Sequence, residues 1–140
     1  MSDNNFHMRL SCAYETEDNS PVNLTLETIT ADKGWQPLDL NTLTPCFLIY
    51  VYSMFACQHM FLRNKSKDKN VVLETARGEI KVSANEDWQL QEVAIHFDAT
   101  AASGELDDET IDYIISGMKA CPVSKNMPAG IEIQTSVNFN

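Results

Sequence analysis

Hydrophobic residues recur at every second position over residues 6–14 (FHMRLSCAY), which puts Phe6, Met8, Leu10, Cys12 and Tyr14 on one face of a predicted strand. The polar cluster EDNSP (17–21) reads as a turn, and Val22, Leu24 and Leu26 restart the alternation, so a hairpin is predicted. Cys12 falls on its apolar face and is expected in the core. A stretch rich in turn residues, ADKGWQPLDLNTL, reads as a loop. The pattern then changes. From Phe47 to Leu62 nearly every residue is apolar, interrupted by Gln58 and His59. Pro45 suits the first turn of a helix, Thr44 can cap it, and Arg63, Lys65 and Lys67 stand where cations favour a helix C-terminus.

At about sixteen residues this helix falls short of the ~20 needed to span a bilayer. A helix apolar all round must then be surrounded by protein. One small sheet covers one side of it and the remaining chain has little to spare, so a second copy of the molecule is expected on the other. Residues 70–82 and 88–99 read as two more strands, each changing phase midway, near Thr75 and near Gln91, which predicts bulges or bends. LDDETIDYIISGMKAC carries acids at its start and Ile111, Ile114, Ile115 and Met118 at amphipathic helical spacing, with Cys121 continuing the stripe. Ile131, Ile133, Val137 and Phe139 then alternate as a last strand. The predicted order is ββ, long buried helix, ββ, amphipathic helix, short helical turn, β. That is an α+β chain forming a single domain over residues 1–140.

Composition narrows the partners. With 44% hydrophobic and 21% charged residues the chain has the balance of a soluble globular protein. Its 20 acidic and 10 basic side chains give a net charge of −10, which repels phosphate backbones and anionic lipid; neither nucleic acid nor membrane is expected as a partner. No secretory pattern opens the chain, so a reducing cytoplasmic setting is expected for Cys12, Cys46, Cys57 and Cys121, in which permanent disulfides are rare and a transient catalytic one is possible. Cysteines and histidines lack the close pairing of a structural zinc site.

The candidate chemistry lies in MKACPVSKNM (118–127). Pro122 disfavours helical geometry at Cys121 and can begin a short helix, making Cys121 its N-cap. Free N–H groups there, with Lys119 and Lys125 nearby, would favour a thiolate. Equally, Cys121 can be a small apolar residue continuing the stripe. A thioredoxin-type reading of Cys-Pro-x-Ser is set aside, because that motif follows the first strand of a βαβ unit and here a helix precedes it.

Read together with the long helix, the motif becomes informative. TPCFLIYVYSMFAC, ending at Ala56-Cys57, and Cys121-Pro122-Val123, placed after an amphipathic helix and before the last strand, resemble two segments of the OsmC/Ohr proteins (osmotically inducible and organic hydroperoxide resistance proteins). The order of elements matches over nearly the whole chain. The resemblance implies an intertwined homodimer with antiparallel sheets wrapped around paired long, buried central helices. It implies that Cys57 attacks an organic hydroperoxide and becomes a sulfenic acid, that Cys121 resolves it to a disulfide, and that a dithiol such as a dihydrolipoyl group restores both. No metal or organic cofactor is implied.

Two features depart from the family pattern. Phe47 stands where the peroxidases carry a glutamate, and no arginine lies between Arg9 and Arg63, Arg9 itself falling on the polar face of its strand. A mid-helix cysteine in an apolar pocket without a cation should have a pKa at or above ~8.5. His59 lies on the far side of the helix from Cys57, and His96 on the polar face of its strand. Cys46 shares the helix face of Cys57, as a third redox thiol or a small apolar residue. Ser53 can bond the Cys57 sulfur or its own helix backbone. Besides a peroxidase, the pattern admits a dimeric module that binds an apolar ligand between the helices, with vestigial cysteines, and thiol chemistry led by Cys121.

Overall fold

A computed structural model describes residues 4–30 and 32–140. Among them six strands form one sheet: β1 (Asn4–Glu15), β2 (Ser20–Thr30), β3 (Gly34–Pro37), β4 (Val72–Ala84), β5 (Leu90–Ser103) and β6 (Ile133–Phe139), in the order β3-β2-β1-β4-β5-β6. Three helices complete the α+β fold: α1 (Cys46–Asp68), α2 (Asp108–Lys119) and the short α3 (Pro122–Lys125). The period-two faces sort as expected. Met8, Leu10, Cys12 and Tyr14 of β1, Ile80 and Val82 of β4, and Val93, Ile95 and Phe97 of β5 are buried in one core beneath the helices. His7, Arg9, Glu79 and His96 lie on the opposite, polar face.

Both predicted phase changes are bulges in the β4–β5 pairing. Register shifts between Leu73 and Thr75, and again where Ser83↔Glu92 gives way to Ala84↔Leu90 and skips Gln91. The β1–β2 turn is anchored through Asn19, a fully buried residue at φ +56. Its Nδ2 donates to the carbonyls of Arg63 (3.2 Å) and Val71 (3.1 Å), and its Oδ1 accepts from Leu73 N–H at 2.8 Å. One side chain thus ties the hairpin to the end of α1 and the start of β4.

Several expectations change. The segment read as a loop contains β3, a four-residue edge strand whose register runs from Glu27↔Pro37 to Thr30↔Gly34; Ala31, the first residue of that loop, lies outside the described residues. The predicted antiparallel sheets are a single sheet whose last strand is parallel, β6 alongside β5, because the intervening α2 and α3 carry the chain back to the same end. Thr44 does not cap α1: its Oγ1 accepts from Asn41 N–H (2.9 Å) and donates to the Asp39 carbonyl (3.3 Å), and Pro45 takes the cap position. The helix runs on past Leu62 to Asp68, with the helix-favouring Arg63, Lys65 and Lys67 in its last turns, until Asn70 at φ +59 turns the chain out.

On α1, Val51, Met54, Phe55, Gln58, His59, Leu62 and Ser66 are buried at helical spacing against the sheet and α2. A second stripe of Ile49, Ser53, Ala56 and Met60 stays wholly or partly uncovered, with Ile49 39% and Met60 41% exposed. Within one chain the helix is therefore enclosed on one side, as its all-round apolarity and a single sheet require.

Candidate functional site

The site is built where α2 ends. Ile114 and Met118 pin α2 to the core, and Asp107 caps its start by accepting Thr110 N–H at 2.8 Å. Pro122 stops the helix. Cys121 leaves it with φ −63°, ψ 151° and caps α3, Pro122 being the first helical residue. Ser124 N–H donates to the Cys121 sulfur at 3.4 Å, and the Cys121 side chain is fully buried. Both readings of Cys121 therefore hold at once: it is the N-cap and it continues the apolar stripe.

Cys57, half-buried on α1, has Cys121 as a neighbour. Burial is the main reason the Cys57 pKa is pushed up to about 11; the nearby Val123 N–H works against the rise and the neighbouring Cys121 thiol adds to it. No cation is among the groups that shift Cys57.

Around this pair runs a set of hydrogen bonds that residue patterns did not reveal. Thr135 Oγ1 on β6 donates to Gln58 Oε1 at 3.0 Å; Gln58 Nε2 donates to Ser124 Oγ at 3.1 Å; and Ser124 Oγ lies 2.9 Å from the Cys121 sulfur. Gln58 is fully buried. The available signal was an amide interrupting an apolar helix, since a buried polar side chain requires partners.

The remaining candidates lie elsewhere. His59 faces the sheet, as its spacing from Cys57 requires, stacked on Phe97 (centroids 5.7 Å apart) with Nε2 2.8 Å from Tyr14 Oη and 3.8 Å from the Cys12 sulfur. Burial, reinforced by Arg63, lowers its pKa to about 4. Burial likewise raises Cys12 and Tyr14 above their ordinary values. Ser53 bonds its own helix, donating to the Tyr50 carbonyl at 2.6 Å. Cys46 is exposed at the start of α1. His96 lies on the outer sheet face, bonded to Ser136 (2.7 Å) and Asp98 (3.1 Å). Arg9 is also on that face, paired with Glu27 at 2.8 Å and stacked 4.1 Å from the Trp35 ring centroid. Phe47 packs with Phe6 (5.0 Å), Trp88 (5.2 Å) and Tyr50 (5.6 Å), an aromatic cluster at the first turns of α1. Among the described residues no group of three or more His, Cys, Asp or Glu side chains could hold a metal ion, and no helix is long and apolar enough to cross a membrane.

No family model and no curated protein matches the sequence. Solved structures do match the fold. An OsmC-like protein from Mycoplasma pneumoniae aligns with a TM-score of 0.55 at 16% identity, over 92% of this chain and 94% of that one. An OsmC-like hydroperoxide resistance protein from Jannaschia sp. gives 0.59 at 10% identity, over 87% and 85%. A protein from Aquifex aeolicus gives 0.56 at 14% identity, over 100% and 97%. The chain has the OsmC/Ohr fold.

Proposed function

We propose that the protein is a thiol-dependent peroxidase that reduces organic hydroperoxides, with Cys57 as the attacking sulfur and Cys121 as the resolving one. The observation that carries this reading is that two thiols from distant parts of the chain are neighbours at the first turn of α3, where Ser124 N–H donates to the Cys121 sulfur. The Cys57 thiolate attacks a peroxide oxygen, the O–O bond breaks, and the alkoxide leaves as the alcohol with a proton, giving Cys57 sulfenic acid. Cys121 then attacks that sulfur; an S–S bond forms, the S–O bond breaks, and hydroxide leaves as water with the proton of the Cys121 thiol. A lipoyl-type dithiol exchanges with the disulfide, is itself oxidised, and returns both thiols. These steps need no metal or bound organic cofactor.

The aromatic cluster of Phe6, Phe47, Tyr50 and Trp88, at the first turns of the helix that carries Cys57, is an apolar surface that suits a carbon-bearing hydroperoxide. The uncovered α1 stripe of Ile49, Ser53, Ala56 and Met60 supports a homodimer closed over that helix. Unpaired cysteines throughout fit a reducing, cytoplasmic setting.

One observation favours a second reading: a Cys57 pKa near 11 with no cation beside it leaves little thiolate at neutral pH. In that reading the same dimer binds an apolar molecule between its helices and the thiols are idle. Addition of cumene hydroperoxide to the reduced protein separates the two. The peroxidase loses two thiols per chain with formation of a Cys57–Cys121 disulfide, and Cys57→Ser abolishes the loss. Thiols that persist in excess hydroperoxide, with an apolar molecule recovered by solvent extraction, would establish the binding module instead.

A further inference from the structure

Among the described residues, Gln58 is the polar side chain that links all three elements around the two sulfurs: it belongs to α1 next to Cys57, bonds Ser124 on α3 beside Cys121, and is held by Thr135 on β6. Its orientation has a chemical consequence. Oε1 accepts from Thr135, so Nε2 points at Ser124 and donates to its oxygen. With a lone pair engaged in this way, the serine hydroxyl hydrogen is free to turn toward the Cys121 sulfur 2.9 Å away. The Ser124 N–H reaches the same sulfur at 3.4 Å. Cys121 can therefore receive two donors from one residue, the buried amide leaving the hydroxyl hydrogen available for the shorter bond.

We infer that Gln58 is a positioning residue for the resolving step, turning the Ser124 hydroxyl onto Cys121 so that this sulfur is held in its attacking form and orientation opposite Cys57. The inference rests on the peroxidase reading above and adds to it a residue that touches neither the peroxide nor the reacting sulfurs. In the resolving step Cys121 gives an electron pair to the sulfenic sulfur of Cys57; a hydrogen bond donated to Cys121 favours the form that has shed its proton, which leaves with the departing hydroxide as water. Attack on Cys57 by peroxide draws on none of these bonds. The two steps should therefore respond differently to Gln58.

Two substitutions separate chemistry from packing. Gln58→Met keeps the volume and removes both hydrogen bonds. Gln58→Glu keeps the shape but, when ionised, only accepts, so it draws the Ser124 hydroxyl hydrogen to itself and away from Cys121. The experiment uses the reduced full-length protein with cumene hydroperoxide in rapid-quench time courses, with dimedone capture and intact mass spectrometry. These give the rate of Cys57 sulfenic acid formation and its lifetime before disulfide closure. Both variants should form the sulfenic acid within about twofold of the wild-type rate; Gln58→Glu should close the disulfide about tenfold more slowly, the size expected for one lost hydrogen bond to sulfur, and Gln58→Met, which leaves the Ser124 hydroxyl unheld, should slow closure by a smaller factor. The pH profile of closure should also move to higher pH. Ser124→Ala, which leaves Gln58 in place, should show the slowing of Gln58→Glu and covers the case in which a Gln58 variant does not fold. Closure at the wild-type rate in folded variants, or equal slowing of both steps, would overturn the inference. Failure of the wild-type protein to form any sulfenic acid would overturn the peroxidase reading itself, and dimedone on Cys121 in place of Cys57 would reverse the assignment of roles.

Discussion

Cys57 offers the sharpest numerical test of the site. Burial beside a second thiol, with one amide and no cation to oppose it, holds its pKa at about 11 against 9.0 for an ordinary thiol. At pH 7 an ordinary thiol is about 1 part in 100 thiolate, whereas Cys57 would be about 1 part in 10,000, a hundredfold deficit. The more basic thiolate is intrinsically more nucleophilic, by about tenfold for a difference of this size, so the net deficit at pH 7 is about tenfold. The assay is iodoacetamide alkylation of the reduced protein under argon, followed at the Cys57 peptide by mass spectrometry from pH 6.5 to 10.5, with the urea-unfolded chain as comparison. The logarithm of the folded-state rate should climb with unit slope through pH 10, while the unfolded chain levels off near pH 9. Cys121→Ala, which removes a neighbour but leaves the larger effect of burial, should move the folded profile only slightly toward lower pH. A folded profile that levels off below pH 9 would refute the reasoning, because some donor or cation would then be outweighing burial at this sulfur.

Other positions give independent checks. A Cβ at Gly78 would overlap the Phe97 ring, which is fully buried between the sheet and His59, so Gly78→Ala should lower stability by about 1–3 kcal/mol in urea unfolding. Asn19→Ala leaves two buried carbonyls and the Leu73 N–H without their partner and should cost about 2–4 kcal/mol by the same measurement. For His59 the folded pKa, about 4, lies below the unfolded value, so the unfolded chain takes the proton first. Its contribution to stability is complete above about pH 6.5 and shrinks as pH falls toward 4, by up to about 3 kcal/mol, and the difference between wild type and His59→Gln should narrow over that window. Ser53→Ala should leave the Cys57 alkylation profile unchanged, because Ser53 is bonded to the Tyr50 carbonyl.

The readable parts of the fold share one property. β1, β4 and β5 alternate because one face of each is buried, and even their bulges show as a change of phase, at Thr75 and Gln91. The α2 stripe and the cap at Cys121 were equally legible, since spacing, proline geometry and free N–H groups act within a few residues. β3 was not: four residues carry no period, and they are extended because β2 offers them an edge. Nor was the direction of β6, whose own residues read the same in a parallel or an antiparallel pair.

Gln58 marks the boundary between the two kinds of information. Its presence in an apolar helix announced a buried amide that must be satisfied, but its partners lie 66 and 77 residues away along the chain. Local pattern thus set which residues would be strand, helix, cap and core, and which cysteines stood at positions able to do chemistry. The packing of α1, α3 and β6 decided that Cys57 and Cys121 become neighbours, that the buried amide points at Ser124, and that no cation is among the groups that shift Cys57. Periodicity and capping act between neighbours in the chain and are written in their order. The meeting of two thiols is an outcome of how distant surfaces close on one another, which depends on the summed shape and burial of whole elements.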